Sequence, residues 1–99
     1  MLQQRCFAYI AQIPRGRVIT YKHLAHLVGT KAYRYVGWLC KQNTDYTNIP
    51  CHRVVCSTGH IGGYNRGISF KKTLLEQEGI VVHNNKISLP TYEILLKDS

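Results

Sequence analysis

The stretch "NIPCHRVVCSTGHIGGY", residues 48 to 64, sets Cys51, His52 and Arg53 side by side between a proline and a run of valines. Reactive polar groups rarely gather in a segment that otherwise reads as a buried strand. Four uses of Cys51 compete: packed thiol, metal ligand, disulfide half or nucleophile. A thiol becomes nucleophilic when nearby positive charge or a base favours the thiolate. Cys51 has His52 and Arg53 after it and Pro50 fixing the backbone before it, whereas Cys6, Cys40 and Cys56 read as packing. On an extended segment consecutive side chains face opposite ways. His52 then need not touch Cys51, and a bridging water could relay the proton. An imidazole base is usually oriented by an acid. Glu78 is the candidate, and Glu76 is the only other carboxylate nearby in the chain.

The metal and disulfide uses fare worse. Four residues separate Cys51 from Cys56, and His23, His26, His52, His60 and His83 form no second pair at ligand spacing. No metal and no cofactor are expected. The N-terminus "MLQQRCFAYI" has no long apolar region and no small-residue cleavage site, so neither a secretory signal nor a disulfide framework is expected. No apolar run reaches the ~18 residues of a membrane span.

The elements that must hold these residues can be read from periodicity and stop signals. Leu2, Cys6, Phe7, Ile10 and Ile13 recur at helical spacing over residues 2 to 12, and "PRG" at 14 to 16 ends them. "RVITY" is a short extended piece. Thr20 can cap a second helix, "YKHLAHLV", which buries Leu24, Leu27 and Val28 and stops at Gly29. After "GTKA", "YRYVGWLCKQN" predicts a third helix with Tyr35, Val36, Leu39 and Cys40 inward. Two short helices around a glycine-containing link make a helix-turn-helix pattern.

Further along, "NTDYTNIP" is a polar loop, "CHRVVC" an extended run and "STGHIGGYNRG" a glycine-rich loop. "ISFKKTLLEQEG" predicts a helix with Phe70, Leu74 and Leu75 inward and Gly79 at its C′ position. "IVVHNNKISLP" predicts a β-hairpin turning at Asn84-Asn85, and "TYEILLKDS" a short terminal helix. No repeat or linker divides the 99 residues, so a single domain spanning 1–99 is expected. Its class is mainly α with small β elements.

Charge points to a partner. Thirteen Lys and Arg stand against five acids. Residues 1 to 44 hold Arg5, Arg15, Arg17, Lys22, Lys31, Arg34 and Lys41 with no Asp or Glu, while Glu76, Glu78, Glu93 and Asp98 come after residue 75. An acid-free basic half suits a polyanion, because each cation set against a phosphate releases a condensed counterion. The rival reading is a basic surface with no partner.

"IPCHRVV" closely resembles the active-site signature of the O6-alkylguanine-DNA alkyltransferases, which move an alkyl group from guanine onto their own cysteine. The resemblance covers roughly residues 3 to 88. "GRVITYKHLAHLVG" is similar to the family's first helix-turn-helix element and "KAYRYVG" to its arginine-bearing recognition helix. "CKQN" and "CSTGHIGGYNRGISFKKTLLEQEG" resemble the hinge and the substrate loop with its following helix. The fold this implies is a winged helix-turn-helix-like DNA-binding domain. The family's usual N-terminal α/β domain has no counterpart in these residues.

The resemblance implies a role for each matching position. Cys51 is the alkyl acceptor, His52 its base through water, and Glu78 the group that orients His52. Tyr21 donates a proton to N3 of the leaving guanine. Arg34 enters the base stack through the minor groove, and Asn43 braces the turn carrying the cysteine. Tyr33, Lys31, Thr20, Arg53 and Lys41 are expected DNA contacts. Tyr64, Asn65, Gly62 and Gly63 are expected around the extruded base. His60, Gly63 and Arg66 are not the commonest family choices, which would alter the alkyl groups accepted.

The implied function is stoichiometric repair of O6-alkylguanine in double-stranded DNA, with O4-alkylthymine as a second candidate substrate. The expected protein is a monomer without membrane contact, cytoplasmic in a prokaryote or nuclear in a eukaryote. Two alternatives stand beside it. One is an alkyltransferase-like lesion sensor that binds alkylated DNA without transfer and hands it to excision-repair proteins; those usually carry tryptophan or alanine at the place of Cys51. The other is a helix-turn-helix transcription regulator, which leaves the "PCHR" segment unexplained.

Overall fold

In the computed structural model, which describes residues 1–97, the order of elements is α1 (Leu2–Ile10), β1 (Ile19–Thr20), α2 (Tyr21–Leu27), α3 (Tyr33–Cys40), a 3-10 turn (Cys51–Arg53), β2 (Val54–Val55), α4 (Ile68–Gln77) and α5 (Leu89–Tyr92). This is the mainly helical architecture with small β elements that the pattern implies. Helices α1, α2 and α3 pack around Cys6, Ile10, Leu24, Val36 and Leu39, all buried. A second apolar cluster, Val18, Val55, Ile61, Leu75 and Ile80, anchors α4.

Capping fixes α2 and α4. The Thr20 hydroxyl accepts the His23 N–H at 3.0 Å, satisfying a donor that a helix start would otherwise leave orphaned. Gly29, at φ +79°, ends α2, with Thr30 N–H donating to Ala25 O and Gly29 N–H to His26 O. The same paired bonds recur at the end of α4, where Gly79 takes φ +88° and Ile80 N–H donates to Leu75 O. That motif sets Glu78 at the last helical turn, half-buried and aimed back into the protein.

Strands β1 and β2 pair in parallel, Ile19 with Val54 and Thr20 with Val55. This pairing brings the start of α2 beside the segment that follows Cys51. The C-terminal stretch extends the sheet by one bridge, Val18 with Glu93.

Several expectations require correction. Helix α1 stops at Ile10 rather than 12, because Pro14 disfavours helical backbone at Ile13. The run 51–56 is not wholly extended. Cys51 N–H donates to Ile49 O at 2.8 Å and Arg53 N–H to Pro50 O at 3.0 Å, so the first three residues wind into a turn before Val54 and Val55 straighten. Tyr35 is not inward: the buried stripe of α3 is Val36, Leu39 and Cys40, at i, i+3 and i+4, and Tyr35 lies off its edge.

In α4, Lys71 and Leu75 take the inner stripe, Leu74 is half-buried and Phe70 is exposed. Asn84 and Asn85 do form the expected tight turn, both with positive φ, but the flanks pair only through single bridges, His83–Lys86 and His60–Lys86. The short terminal helix lies at Leu89–Tyr92. After it the chain runs extended, with Val18 N–H donating to Tyr92 O and Ile94 N–H to Val18 O, both at 3.0 Å. Asp98 and Ser99 lie outside the described residues.

Candidate active site and nucleic-acid interface

Cys51 sits on the 3-10 turn with only 4% of its surface exposed. The turn is held from below by Asn43, itself buried. Asn43 Nδ2 donates to Ile49 O at 2.7 Å, and Asn43 Oδ1 accepts the Asp45 N–H at 2.9 Å. Both ends of the loop leading to Pro50 are thus tied to one side chain. The thiol borders a tight cleft with about 10 Å³ of free space, room for no more than a water, whose walls include Tyr21, Cys40, Lys41, Gly63, Tyr64 and Asn65.

Behind the turn lies an ion-pair network. His52 Nε2 and Glu78 Oε2 are 2.9 Å apart. Arg53 straddles the same carboxylate, with Nε 2.9 Å from Oε1 and Nη2 2.7 Å from Oε2, and its Nη1 donates to Ile13 O at 2.7 Å. Burial would raise the Glu78 carboxyl, but hydrogen bonds from Arg53 and His52 outweigh it and hold the group at about 2. Glu78 is therefore an ionised, acceptor-only group at neutral pH, so His52 Nε2 must carry the proton of that hydrogen bond. Burial lowers the His52 pKa despite the pull of Glu78. A neutral imidazole with its proton on Nε2 leaves Nδ1 as a free base.

Lys71 is the residue that the sequence pattern missed. Among the described residues it is the largest side chain fully withdrawn from solvent. Its Nζ donates to Val54 O at 2.7 Å, and to Gly63 O and the Tyr21 hydroxyl at 3.3 Å. Burial depresses its pKa to about 8, a shift partly opposed by attraction to the Cys51, Cys56 and Cys40 sulfurs. The available signal was its position four residues before Leu75, on the helix face that Leu75 buries.

The contact from Lys71 also orients Tyr21. With its oxygen accepting from the lysine, the phenol O–H is left to donate elsewhere. Burial, then the nearby Cys40, Cys56 and Cys51 sulfurs, raise the Tyr21 pKa, so the hydroxyl keeps its proton. Burial likewise pushes Cys40 up to about 12, which leaves it a thiol on the cleft wall.

The glycine-rich loop closes the cleft. Gly62, at φ +80°, packs so that an added Cβ would meet Cys56 Sγ and Tyr21 Cε2 at 3.3 Å. Asn65 ties the loop to the hinge, its Nδ2 lying 2.8 Å from the Tyr46 hydroxyl, 3.1 Å from Lys41 O and 3.2 Å from Asn43 O. Arg66 lies 4.0 Å from the Tyr46 ring centre and 4.1 Å from that of Phe70, which accounts for Phe70 staying outside the core. The buried Tyr64 hydroxyl has no hydrogen-bond partner among the described residues.

Beside the cleft runs the outer face of α3. Lys31, Tyr33, Arg34, Trp38 and Lys41 are all exposed there. Arg34, Trp38, Lys41, Gly63 and Tyr21 border one surface hollow adjoining the cleft. Two expected DNA contacts are corrected. Thr20 is buried with its hydroxyl capping α2, and Arg53 is held inside by Glu78 and Ile13. Trp38 and the inward Lys71 are the functional candidates that sequence reasoning passed over. Among the described residues no group of three or more His, Cys, Asp or Glu is placed to hold a metal, and no helix is long and apolar enough to cross a membrane.

Residues 1–80 match the family model described as the 6-O-methylguanine DNA methyltransferase, DNA binding domain. A methylated-DNA–protein-cysteine methyltransferase of Pyrobaculum aerophilum is 49% identical over 71 residues, covering 72% of this chain and 47% of the relative. A bifunctional methyltransferase/endonuclease of Picrophilus torridus is 40% identical over 94 residues, covering 94% of this chain and 32% of the relative. The chain therefore spans half or less of the length of these curated relatives. Among solved structures, S. pombe Atl1 in complex with damaged DNA containing O6-carboxymethylguanine superimposes with a TM-score of 0.83 at 31% identity, covering 97% of this chain and 94% of that one.

Proposed function

The chain belongs to the 6-O-methylguanine DNA methyltransferase family through that family's DNA-binding domain, and from this premise we propose that it transfers the alkyl group of O6-alkylguanine in duplex DNA to Cys51. The observation that carries the reading is Cys51 on a cleft wall, next in the chain to a neutral imidazole that ionised Glu78 orients. The His52 Nδ1 takes the thiol proton through a water. The sulfur then attacks the alkyl carbon in line, the C–O6 bond breaks and a thioether forms. The Tyr21 hydroxyl donates to N3 of the departing guanine, easing charge that develops there. Lys71, buried beside both, attracts the negative sulfur as it forms.

The target carbon lies inside the duplex, so the nucleotide must be extruded, at a cost of a few kcal/mol that is least for a lesion with weakened pairing. Arg34 fills the vacated step, Lys31, Tyr33 and Lys41 contact the backbone, and the loop carrying Gly62, Gly63, Tyr64 and Asn65 shifts outward to receive the extruded base, for which the closed cleft has no room. Asn43 supports the cysteine turn. A thioether is not reversed, so each molecule acts once, without a cofactor and as a monomer.

A second reading has its own support. The match to Atl1 runs nearly end to end on both chains, and a lesion sensor that passes alkylated DNA to excision-repair proteins would need the same interface without transfer. One experiment separates them. The protein is incubated with a duplex containing O6-methylguanine and its intact mass and modified peptide are measured. A methyl group on Cys51, absent from Cys51→Ala, is the expected result. Tight binding with unchanged mass would sink the transfer reading in favour of the sensor.

A further inference from the structure

Helix α3 carries an aromatic pair that nothing in the proposed chemistry uses. The Tyr35 and Trp38 rings stack with centroids 5.9 Å apart and planes 12° apart, yet Tyr35 is 50% exposed and Trp38 55% exposed. Large aromatic surface left in water is a feature that needs a reason on a chain this small. Trp38 follows Arg34 by four residues, which puts the two on one face of the helix. Both border the same hollow, about 250 Å³, as Lys41, Gly63 and Tyr21. The indole thus stands beside the mouth of the cysteine cleft, next to the arginine assigned to the vacated base step.

Charge narrows the occupant. No acid occurs in residues 1 to 44, and Lys31, Arg34 and Lys41 flank the aromatic pair. An acidic or purely apolar protein partner would meet either the cations or the rings well, but not both. A nucleobase on a phosphate backbone meets both, since every base has a π-face and every nucleotide a negative charge.

We propose that Trp38, backed by Tyr35, is a stacking platform for an unstacked DNA base flanking the extruded nucleotide. Arg34 fills the step that extrusion empties, and Trp38 covers the neighbouring base that loses its stacking partner. The platform thereby favours DNA whose pairing is already disturbed. This rests on the reading of the domain as a DNA binder, not on alkyl transfer. Stacking of one base on one aromatic ring makes the expected gain about tenfold in affinity.

Trp38 is the chain's single tryptophan, so its emission reports on this one site. The test titrates the protein with a short fluorescein-labelled duplex carrying one central mismatch, following label anisotropy and, on unlabelled duplex, tryptophan emission. The expected result is emission quenched in step with binding, with affinity about tenfold weaker in Trp38→Ala and largely restored in Trp38→Phe. Circular dichroism and thermal melting verify that both variants fold. An anisotropy rise with unchanged emission, or a Trp38→Ala affinity within about twofold of the parent, overturns the platform while leaving DNA binding intact. No anisotropy rise with any duplex overturns the platform and the DNA-binding reading together. The mass measurement on O6-methylguanine DNA separately decides transfer.

Discussion

The interior around Glu78 and the outer face of α3 handle charge in opposite ways. Inside, each polar side chain is bonded: Arg53 to both carboxylate oxygens and Ile13 O, neutral His52 to Glu78, Lys71 to two carbonyls and a phenol. Outside, the Lys31, Arg34 and Lys41 side chains make no hydrogen bond or ion pair among the described residues. The difference suits what the proposed function asks of each region. Groups that move a proton must be oriented before the substrate arrives, since a correct tautomer and angle are worth more than proximity alone. Cations that meet phosphate are better left unpaired, because an internal partner would have to be displaced first.

The comparison predicts unequal sensitivity to mutation, greatest inside. Glu78→Ala leaves Arg53 and His52 without their shared partner and is expected to lower stability by ~3–5 kcal/mol in chemical denaturation. Should it fail to fold, Glu78→Gln keeps the shape and tests the charge by pH. Because the folded carboxyl sits at about 2 against an ordinary 4.5, its contribution is complete above 4.5 and is lost as pH falls toward 2. Glu78→Gln should flatten that acid limb. An unchanged limb would break the contrast between the two regions.

Lys71→Met removes the charge beside the sulfur and should slow alkyl transfer by on the order of 10- to 100-fold, read by single-turnover kinetics. Its pH signature has the opposite origin. The lysine titrates at about 8 when folded and near 10.5 when unfolded, so the unfolded chain binds more protons between these values. Stability from this group therefore rises with pH across that window, and Lys71→Met should abolish the rise.

Effects on the outer face should be smaller and confined to DNA. Arg34→Ala is expected to slow repair of duplex DNA about tenfold while sparing reaction with free alkylguanine base. Equal losses on both substrates would place Arg34 with the interior group. Least of all, Lys31→Ala should weaken binding alike on all DNA sequences and reduce the log–log salt slope by about 1.

Much of this arrangement was legible in the chain. Thr20 and Gly29 bound α2, and Gly79 ends α4, because capping depends on residues a few positions apart. Likewise, Pro50, Cys51 and His52 marked a candidate nucleophile, and Glu78, which stood out through the scarcity of acids, does meet His52. Arg53 misled, since an arginine beside a reactive cysteine in a basic chain reads as a phosphate contact until its carboxylate, 25 residues away, is seen. Phe70 and Tyr35 misled in another way. Hydrophobicity marked them as core, but α3 and α4 rotate to bury Val36 with Leu39 and Lys71 with Leu75.

By itself the sequence determined most of the helices, the stops of α2 and α4 and the acid-free basic half, and it singled out Cys51, His52 and Glu78 as candidates. These are local properties, set by turn chemistry, side-chain type and spacing within a few residues. Only the tertiary structure decided that Lys71 points inward to Tyr21, 50 residues away, that Arg53 is bound within, and that Trp38 is left in the open. A buried charge is tolerated where packing supplies its hydrogen-bond partners, and those partners come from segments that meet only when the chain is folded.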